Sequence, residues 1–413
     1  MAHEINCLDI GTSKVNLLTG RLTASGPELK GFITVPSRGI RKGLIIDMTE
    51  ASSSIKDAIK EAEKRYSVRV DSVVTAISGS SIQIIESYGA TGTGGKKITE
   101  RDIQNAISSA DSVYIPLDRE VLHVIPVEFF LDGESGIKNP LGMKGFRLEV
   151  KVQIITALIN PLENLSACCE QAGLRIKEFI FKPIALQKAI LKDEEIEEGV
   201  LLVDIGGGTT DISVFKDRRL LFTKTITVGG NHITNDLAIG LKIPVQEAER
   251  LKIKYGSAVL RNSSDEIEID SLRNRRTISL GIIEEIIYAR SEELISLIKD
   301  SIKGLPGLCG VVITGGSSVL NGLDNLIESL LGMPVRIGCP EGFRGPSISS
   351  AQPGPQDSLV FGLWKVAIEG MKPDKNWKYL IGDLIKKAKV ILNTPRKLVS
   401  ELRTKRVLTS EHQ

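Results

Sequence analysis

The chain has 413 residues, 41% of them apolar, and a formal net charge of +2, which describes a globular protein of two or more domains and not a nucleic-acid binder. Four histidines and five cysteines without CxxC spacing argue against a zinc site or a disulfide framework and suit a reducing compartment. The N-terminus does not read as a secretory signal, and no stretch is long and apolar enough to span a bilayer.

Residues 5–22 read as strand, tight turn, strand, with the turn Asp9-Ile10-Gly11-Thr12-Ser13-Lys14. Residues 201–215 repeat that grammar: an apolar run ends in Asp204-Ile205-Gly206-Gly207-Gly208-Thr209-Thr210-Asp211, and alternation resumes at Ile212 and Val214. The glycines carry no Cβ, so the turn is free to take positive φ and to lay its N–H groups against a bulky anion. Thr209 and Thr210 add hydroxyl donors, and Asp204 is placed to hold a hydrated divalent cation. Lys14 supplies a cation for a phosphate, which the second copy lacks. A glycine-rich hairpin alone is also an ordinary turn. Two of them in one chain suggest a duplicated domain, each half offering one phosphate-facing turn.

Between the hairpins, strands are expected around Ile33 and 44–46. A helix capped by Asp47 or Thr49 follows, with Ile55, Ala58, Ile59 and Ala62 on one face, and then a buried strand at 70–77. Residues 80–160 read as a small inserted α+β module. It has a helix opened by Thr99 and Asp102, strands at 121–125 and 148–155, and a turn-rich loop at 132–145. His123, in an apolar run, is expected to be packed and hydrogen-bonded. Residues 161–199 read as largely helical: one helix ends near Gly173, another runs past Pro183, and the acid-rich 193–198 is a solvated linker.

After the second hairpin, Gly229-Gly230 leads into a helix from Asn231, and a second helix over 245–255 stops at Gly256. Glu249 and Lys252 share a face of that helix, where an exposed ion pair would be worth little. A polar loop or edge hairpin at 262–276 precedes a long helix with Ile283, Ile286, Ile287, Leu294, Leu297 and Ile298 inward. Residues 309–323 read as strand, Gly315-Gly316 turn and helix. The bare glycines suit the flat face of a base, and the helix N-terminus would face a phosphate. An apolar helix runs through Leu359, Leu363 and Val366. In the tail, Trp377, Leu380, Ile381, Leu384, Ile385, Ala388, Ile391 and Leu392 form one helical stripe with Lys378, Lys386 and Lys387 away from it. Such a helix is expected to lie in a membrane interface, with its lysines on anionic head groups. A terminal helix docked on its own domain is the alternative.

Taken in order, Asp-Ile-Gly-Thr-Ser-Lys at 9–14, Asp-Ile-Gly-Gly-Gly-Thr-Thr-Asp at 204–211 and Ile-Thr-Gly-Gly-Ser at 313–317 resemble the two phosphate motifs and the adenosine motif of the actin-like ATPase superfamily. Within it the chain is similar to the FtsA family of bacterial division proteins over about residues 4–366. The matching stretches include 123–126, 136–137, 139–140, 142–143, 145–149, 229–230, 233–234 and 248–252. The resemblance implies an α/β actin-like fold of two lobes from a duplicated ribonuclease H-like domain, an inserted SHS2-like subdomain and a C-terminal amphipathic helix. Its implied divisions are 1–80 plus 161–198 for the first lobe and 81–160 for the insert. The second lobe would take 199–228 plus 306–366, with an FtsZ-binding subdomain at 229–305, and 367–413 would be a linker and membrane-targeting amphipathic tail.

The resemblance further implies ATP with Mg²⁺, held by Asp9, Gly11, Thr12, Ser13, Lys14, Asp204, Gly206, Gly207, Gly208, Thr209 and Thr210. Asp9 and Asp204 would serve the metal. Gly230, Gly315, Gly316 and Ser317 would flank the adenine, with Glu249 and Lys252 near the ribose. It implies filaments of the chain itself and binding of the acidic C-terminal peptide of FtsZ at Arg290, Arg275 and Arg276. It also implies recruitment of other division proteins, and a place on the cytoplasmic face of the inner membrane at the division site. Lys182 departs from the superfamily, which often has Glu or Gln just before this proline to orient the attacking water. A charged lysine cannot accept that water's hydrogen bond, so slow turnover at most is expected. A small-molecule kinase of the same fold is a rival, but no catalytic base is evident and the tail would be unexplained. A pilus-assembly relative is the other, and those tend to lack a basic membrane-binding tail.

Overall fold

The computed structural model describes residues 3–110, 114–261, 265–270, 275–341 and 353–371. The amphipathic tail from Trp377 onward lies outside them. Two compact units are present, one of Met1–Ser81 with Asn160–Ile368, the other built on Ile82–Ile159.

The first unit holds two five-stranded sheets of the same construction. In one, the strands run in the order Gly26–Pro36, Lys14–Thr23, His3–Ile10, Ser72–Ile77, Arg175–Phe181. In the other the order is Arg219–Ile226, Thr210–Lys216, Val200–Ile205, Gly310–Thr314, Val335–Ile337. In both, the first three strands are antiparallel and the last three parallel. The predicted duplication is therefore a duplication of topology. Registers agree as well: Asp9 lies opposite Asn16 and Asp204 opposite Asp211.

On the first sheet lies the helix Met48–Tyr66. Asp47 caps it by accepting the Glu50 N–H at 2.9 Å, and Ile55, Ala58, Ile59 and Ala62 are buried as their spacing predicts. Each such isoleucine contributes about 1.5–3 kcal/mol. The opposite face of this sheet is covered by Ser358–Met371, whose Val360, Phe361, Leu363 and Trp364 join Ile5, Cys7, Leu18 and Val74 in one core. Gly20 makes room for it: a Cβ there would stand 2.3 Å from the Trp364 ring. Chain order assigns 306–366 to the second lobe, yet this helix closes the first, because its apolar face matches the sheet face left open by the hairpin.

Four other expectations change. Arg175–Phe181 is an edge strand, not helix, and only Ile180 and Phe181 of it are fully buried. Asp193–Glu198 is a short helix whose Glu195 is bound in bidentate fashion by Arg336 at 2.6 Å. The turn-rich loop 132–145 contains a short strand, Glu134–Ile137. In the long helix Leu280–Ser301, Ile283, Ile287, Leu294 and Ile298 are buried, but Leu297 is 37% exposed. The helices Gly230–Leu241 and Val245–Tyr255 and the hairpin Glu266–Asp270 with Arg275–Ser279 form as expected.

The second unit is a four-stranded antiparallel sheet in the order Ile82–Gly92, Arg147–Leu158, Arg119–Leu131, Glu134–Ile137. The helix Glu100–Ala110 buries Ile103, Ala106 and Ile107 on it. Its entry is the predicted capping motif: the Asp102 carboxylate accepts from the Thr99 N–H and hydroxyl at 2.8 and 2.6 Å. His123 is a strand residue opposite Ile155, and burial pushes its imidazole down to about 4, so it stays neutral at pH 7.

Candidate functional site

The two Asp-Ile-Gly turns close in the same way. The Gly11 N–H donates to the Lys14 carbonyl and the Gly206 N–H to the Thr209 carbonyl, both at 2.9 Å. They also face each other. A Cβ on Gly207 would lie 2.1 Å from Ser13 Oγ, and one on Gly208 2.7 Å from Thr12 Oγ1. Ser13 Oγ donates to Asn231 Oδ1 at 3.2 Å, and Thr12 Oγ1 accepts from the Gly43 N–H at 3.2 Å. Positive φ was the expected reason for the glycine triplet, but none of Gly206, Gly207 and Gly208 adopts it. At Gly207 and Gly208 the cause is steric: hydroxyl side chains of the first turn stand where a Cβ would go.

The third glycine stretch joins this place from behind. Gly315 has φ +89°, and a Cβ on it would fall 2.2 Å from Asp204 Oδ1 and 2.6 Å from the Ile205 carbonyl oxygen. Ser317 donates its N–H to Ile205 at 3.0 Å and its hydroxyl to the Gly206 carbonyl at 3.3 Å. Gly230 donates to that same carbonyl at 2.9 Å, and a Cβ on it would meet Ser317 Oγ at 2.1 Å. In the pair of Glu249 and Lys252 the ammonium is largely buried and the carboxylate side chain is 42% exposed. They meet at 2.7 Å, both engage the Thr234 hydroxyl, and Lys252 also donates to the Gly230 carbonyl at 3.2 Å. Among the described residues, a Cβ on Gly316 would meet Gln356, at 3.9 Å. One expectation fails here. The helix after the Gly315-Gly316 turn begins only at Leu323, so its N-terminus does not adjoin these glycines.

Charge is concentrated on the second hairpin. Lys182, first residue of the helix Lys182–Ile190, extends its ammonium to Asp204 Oδ2 and to Asp211 Oδ2, the latter at 2.6 Å. All three side chains are nearly buried, at 14, 9 and 6% exposure. Burial alone would lower the lysine, but the two carboxylates raise it above its ordinary value, so it stays charged. Burial raises Asp9, against the pull of Lys182 and Lys14. Asp211 also accepts from Thr225 and, at 3.3 Å, from Ser78. Lys14 lies 3.3 Å from Asp357 Oδ1.

Of the two carboxylates expected to hold a hydrated divalent ion, Asp204 is engaged by the Lys182 ammonium and Asp9 by the Asn16 amide. Sequence reasoning did not select Asp211, Asn16, Ser78, Asn231 or Asp357 for the site. The register opposite Asp204 could have pointed to Asp211. Asp357 gave no local signal.

Elsewhere, Arg290 holds Asp236 through two nitrogens, at 2.6 and 3.1 Å, and Glu293 at 2.5 Å. Arg275 is exposed on the edge hairpin, and Arg276 is a residue of the same strand. The residues chosen for membrane binding, Trp377 to Ile391, lie outside the described residues.

Two sheets of one topology, each opening with an Asp-Ile-Gly hairpin, with a separate unit inserted after the first, define an actin-like ATPase fold. The fold is similar to that of the PilM-PilN type IV pilus biogenesis complex (TM-score 0.60, 20% identity, 89% of this chain and 99% of that one). It is also similar to MreB5 of Spiroplasma citri bound to ADP (TM-score 0.55, 14% identity, 90% and 99%). The family model for cell division protein FtsA matches residues 201–352, and that for the SHS2 domain inserted in FtsA matches 79–156. The chain is 37% identical to cell division protein FtsA of Pseudomonas aeruginosa over 347 residues, 82% of this chain and 83% of that one. It is 36% identical to that of Borreliella burgdorferi over 368 residues, 86% and 89%. The chain belongs to the FtsA family of cell division proteins.

Proposed function

We propose that this chain binds a nucleoside triphosphate between its two hairpins, polymerises on the cytoplasmic face of the inner membrane at the division site, and tethers FtsZ there. The observation that carries the reading is the meeting of the two turns. Thr12 and Ser13 of one lobe lie against Gly207 and Gly208 of the other, so both lobes can reach the same phosphates. Lys14 and Thr209 add positive charge and a donor, whereas the Thr210 hydroxyl, expected to join them, is buried and donates to the Val228 carbonyl at 2.8 Å. Gly230 and Ser317, with Glu249 and Lys252 bridging to Thr234, form a compact polar patch suited to a nucleoside. A ligand that touches both lobes fixes the angle between them and so biases assembly.

The domain roles belong to this reading: 229–305 takes the acidic FtsZ peptide, and 367–413 holds the membrane through Trp377, Leu380, Ile381, Leu384, Ile385, Lys386, Lys387 and Ile391. Arg275, Arg276 and Arg290 would meet the acids of the peptide, Arg290 from a place where Asp236 and Glu293 also hold it. Later division proteins would join the assembled filament. In a flotation assay with full-length chain, anionic vesicles and an FtsZ C-terminal peptide, all three float together. Removal of 377–413 abolishes flotation while peptide binding persists. Vesicle binding unchanged by that deletion would refute the tether.

A further inference from the structure

The short ribbon Ile40–Arg41 with Leu44–Ile45 stands beside the site, and its tip reaches both phosphate-facing turns. The base of the ribbon is fixed. Ile40 is buried in the core beneath the helix Met48–Tyr66, and the Gly39 carbonyl accepts from the Ile46 and Asp47 N–H groups at 2.8 and 3.1 Å. At the tip, Lys42 and Gly43 have φ of +51° and +73°, the positive pair that a two-residue type I′ turn requires. In the first turn, Thr12 Oγ1 accepts from the Gly43 N–H. In the second, a Cβ on Gly208 would lie 3.1 Å from the Lys42 Cα, and a Cβ on Gly43 would lie 4.0 Å from Thr209 Cγ2. The tip therefore lies across the two turns where they meet.

Lysine is not among the residues that favour the first position of such a turn, which are Asn, Asp and Gly. A side chain kept there against its backbone preference calls for a reason, and charge gives one. Lys14 is engaged by Asp357, Lys182 by Asp204 and Asp211, and Lys252 by Glu249. Arg41 and Lys42 are exposed, and among the described residues neither is paired with a carboxylate. Lys42 thus brings an unneutralised positive charge to turns whose other ammonium groups already face acids. Resting on the nucleotide reading above, we propose that the Lys42 ammonium, carried on this ribbon, binds the phosphate chain of the nucleotide from the solvent side and bridges the two turns through it. The contact is to phosphate and not to base, and it is a point charge on a flexible stem, so arginine can replace it.

The test is calorimetric titration of full-length chain with ATP and Mg²⁺ at low and at high salt, for wild type, Lys42→Asn and Lys42→Arg. Asparagine suits the turn and removes the charge. Lys42→Asn weakens ATP binding by about tenfold or more at low salt, and the loss shrinks to about threefold or less at high salt, where an exposed charge is screened. Lys42→Arg keeps Kd within about threefold of wild type at both. Unchanged affinity in Lys42→Asn overturns the inference and leaves the nucleotide reading standing. An equal loss at both salt levels also overturns it, because the ribbon then only shapes the site. Wild-type chain that binds no ATP overturns the nucleotide reading itself. Should Lys42→Asn not fold, Lys42→Gln is judged by the same criteria.

Discussion

The two hairpins are one design executed twice with opposite materials. In the first, the turn after Gly11 is built from Thr12, Ser13 and Lys14, and the acid Asp9 is paired with an amide, Asn16, which donates to it at 3.2 Å. In the second, the equivalent turn is Gly207, Gly208 and Thr209, with one side chain in place of three, and Asp204 is paired with another acid, Asp211. One lobe contributes side chains and the other contributes access. The second arrangement is the costlier, since two buried carboxylates side by side need an outside cation, and Lys182 supplies it. The glycine triplet follows from the hydroxyls opposite as much as from any ligand.

The widest gap between the copies is behind the second hairpin. Register places Gly315 where the first sheet carries Ile77. Gly315→Ala combines a left-handed φ with a backbone clash and is expected to destabilise by about 3–5 kcal/mol. Ile77→Ala leaves a cavity costing about 2–3 kcal/mol. Urea denaturation of both variants checks the order; equal losses would show that the Asp204 side is no more tightly packed than its counterpart.

The next effect contrasts the partners of the acids. Asp211→Ala leaves Lys182 with Asp204 as its one carboxylate partner here and removes the acceptor of Thr225 and Ser78, a loss of about 3 kcal/mol. Asn16→Ala removes a neutral amide that serves Asp9 and accepts from Thr34 at 2.9 Å, and costs about 1–2 kcal/mol. If Asn16→Ala proves the more damaging, the cation is not what makes the second hairpin costly.

The smallest effect is a pH slope. Burial holds the Asp9 carboxyl above its ordinary value, so the folded chain keeps that proton to higher pH than the unfolded chain does. Its contribution to stability is present below the ordinary carboxylate value and is lost as pH rises through the raised one. Asp9→Asn should flatten this part of an acid-side urea titration, while Asn16→Asp should steepen it by adding a second buried acid. An unchanged slope in Asp9→Asn would place the effect elsewhere.

How much of this was legible in the sequence follows from range. The hairpins, the helix capped by Asp47 and the Thr99–Asp102 entry are local devices, written within a few residues, and they form as read. Arg175–Phe181 was not legible because Arg175, Lys177 and Glu178 break the alternation; what makes it a strand is its parallel neighbour Ser72–Ile77. The linker at 193–198 is helical partly because Glu195 meets Arg336 across 141 residues. The site divides in the same way. Its glycines and hydroxyls stand out in the chain, but the clasp of Lys182 on Asp204 and Asp211, and of Lys14 on Asp357, exists only after folding.

The helix Ser358–Met371 has a consequence for how the chain acquires its shape. The second lobe's sheet draws on one contiguous stretch, from Val200 to Ile337. The first sheet, although made first and complete at Phe181, has one face whose greasy cover begins only at Ser358. During synthesis the later lobe can therefore finish before the earlier one, with that exposed face waiting on the ribosome for Trp364 to emerge.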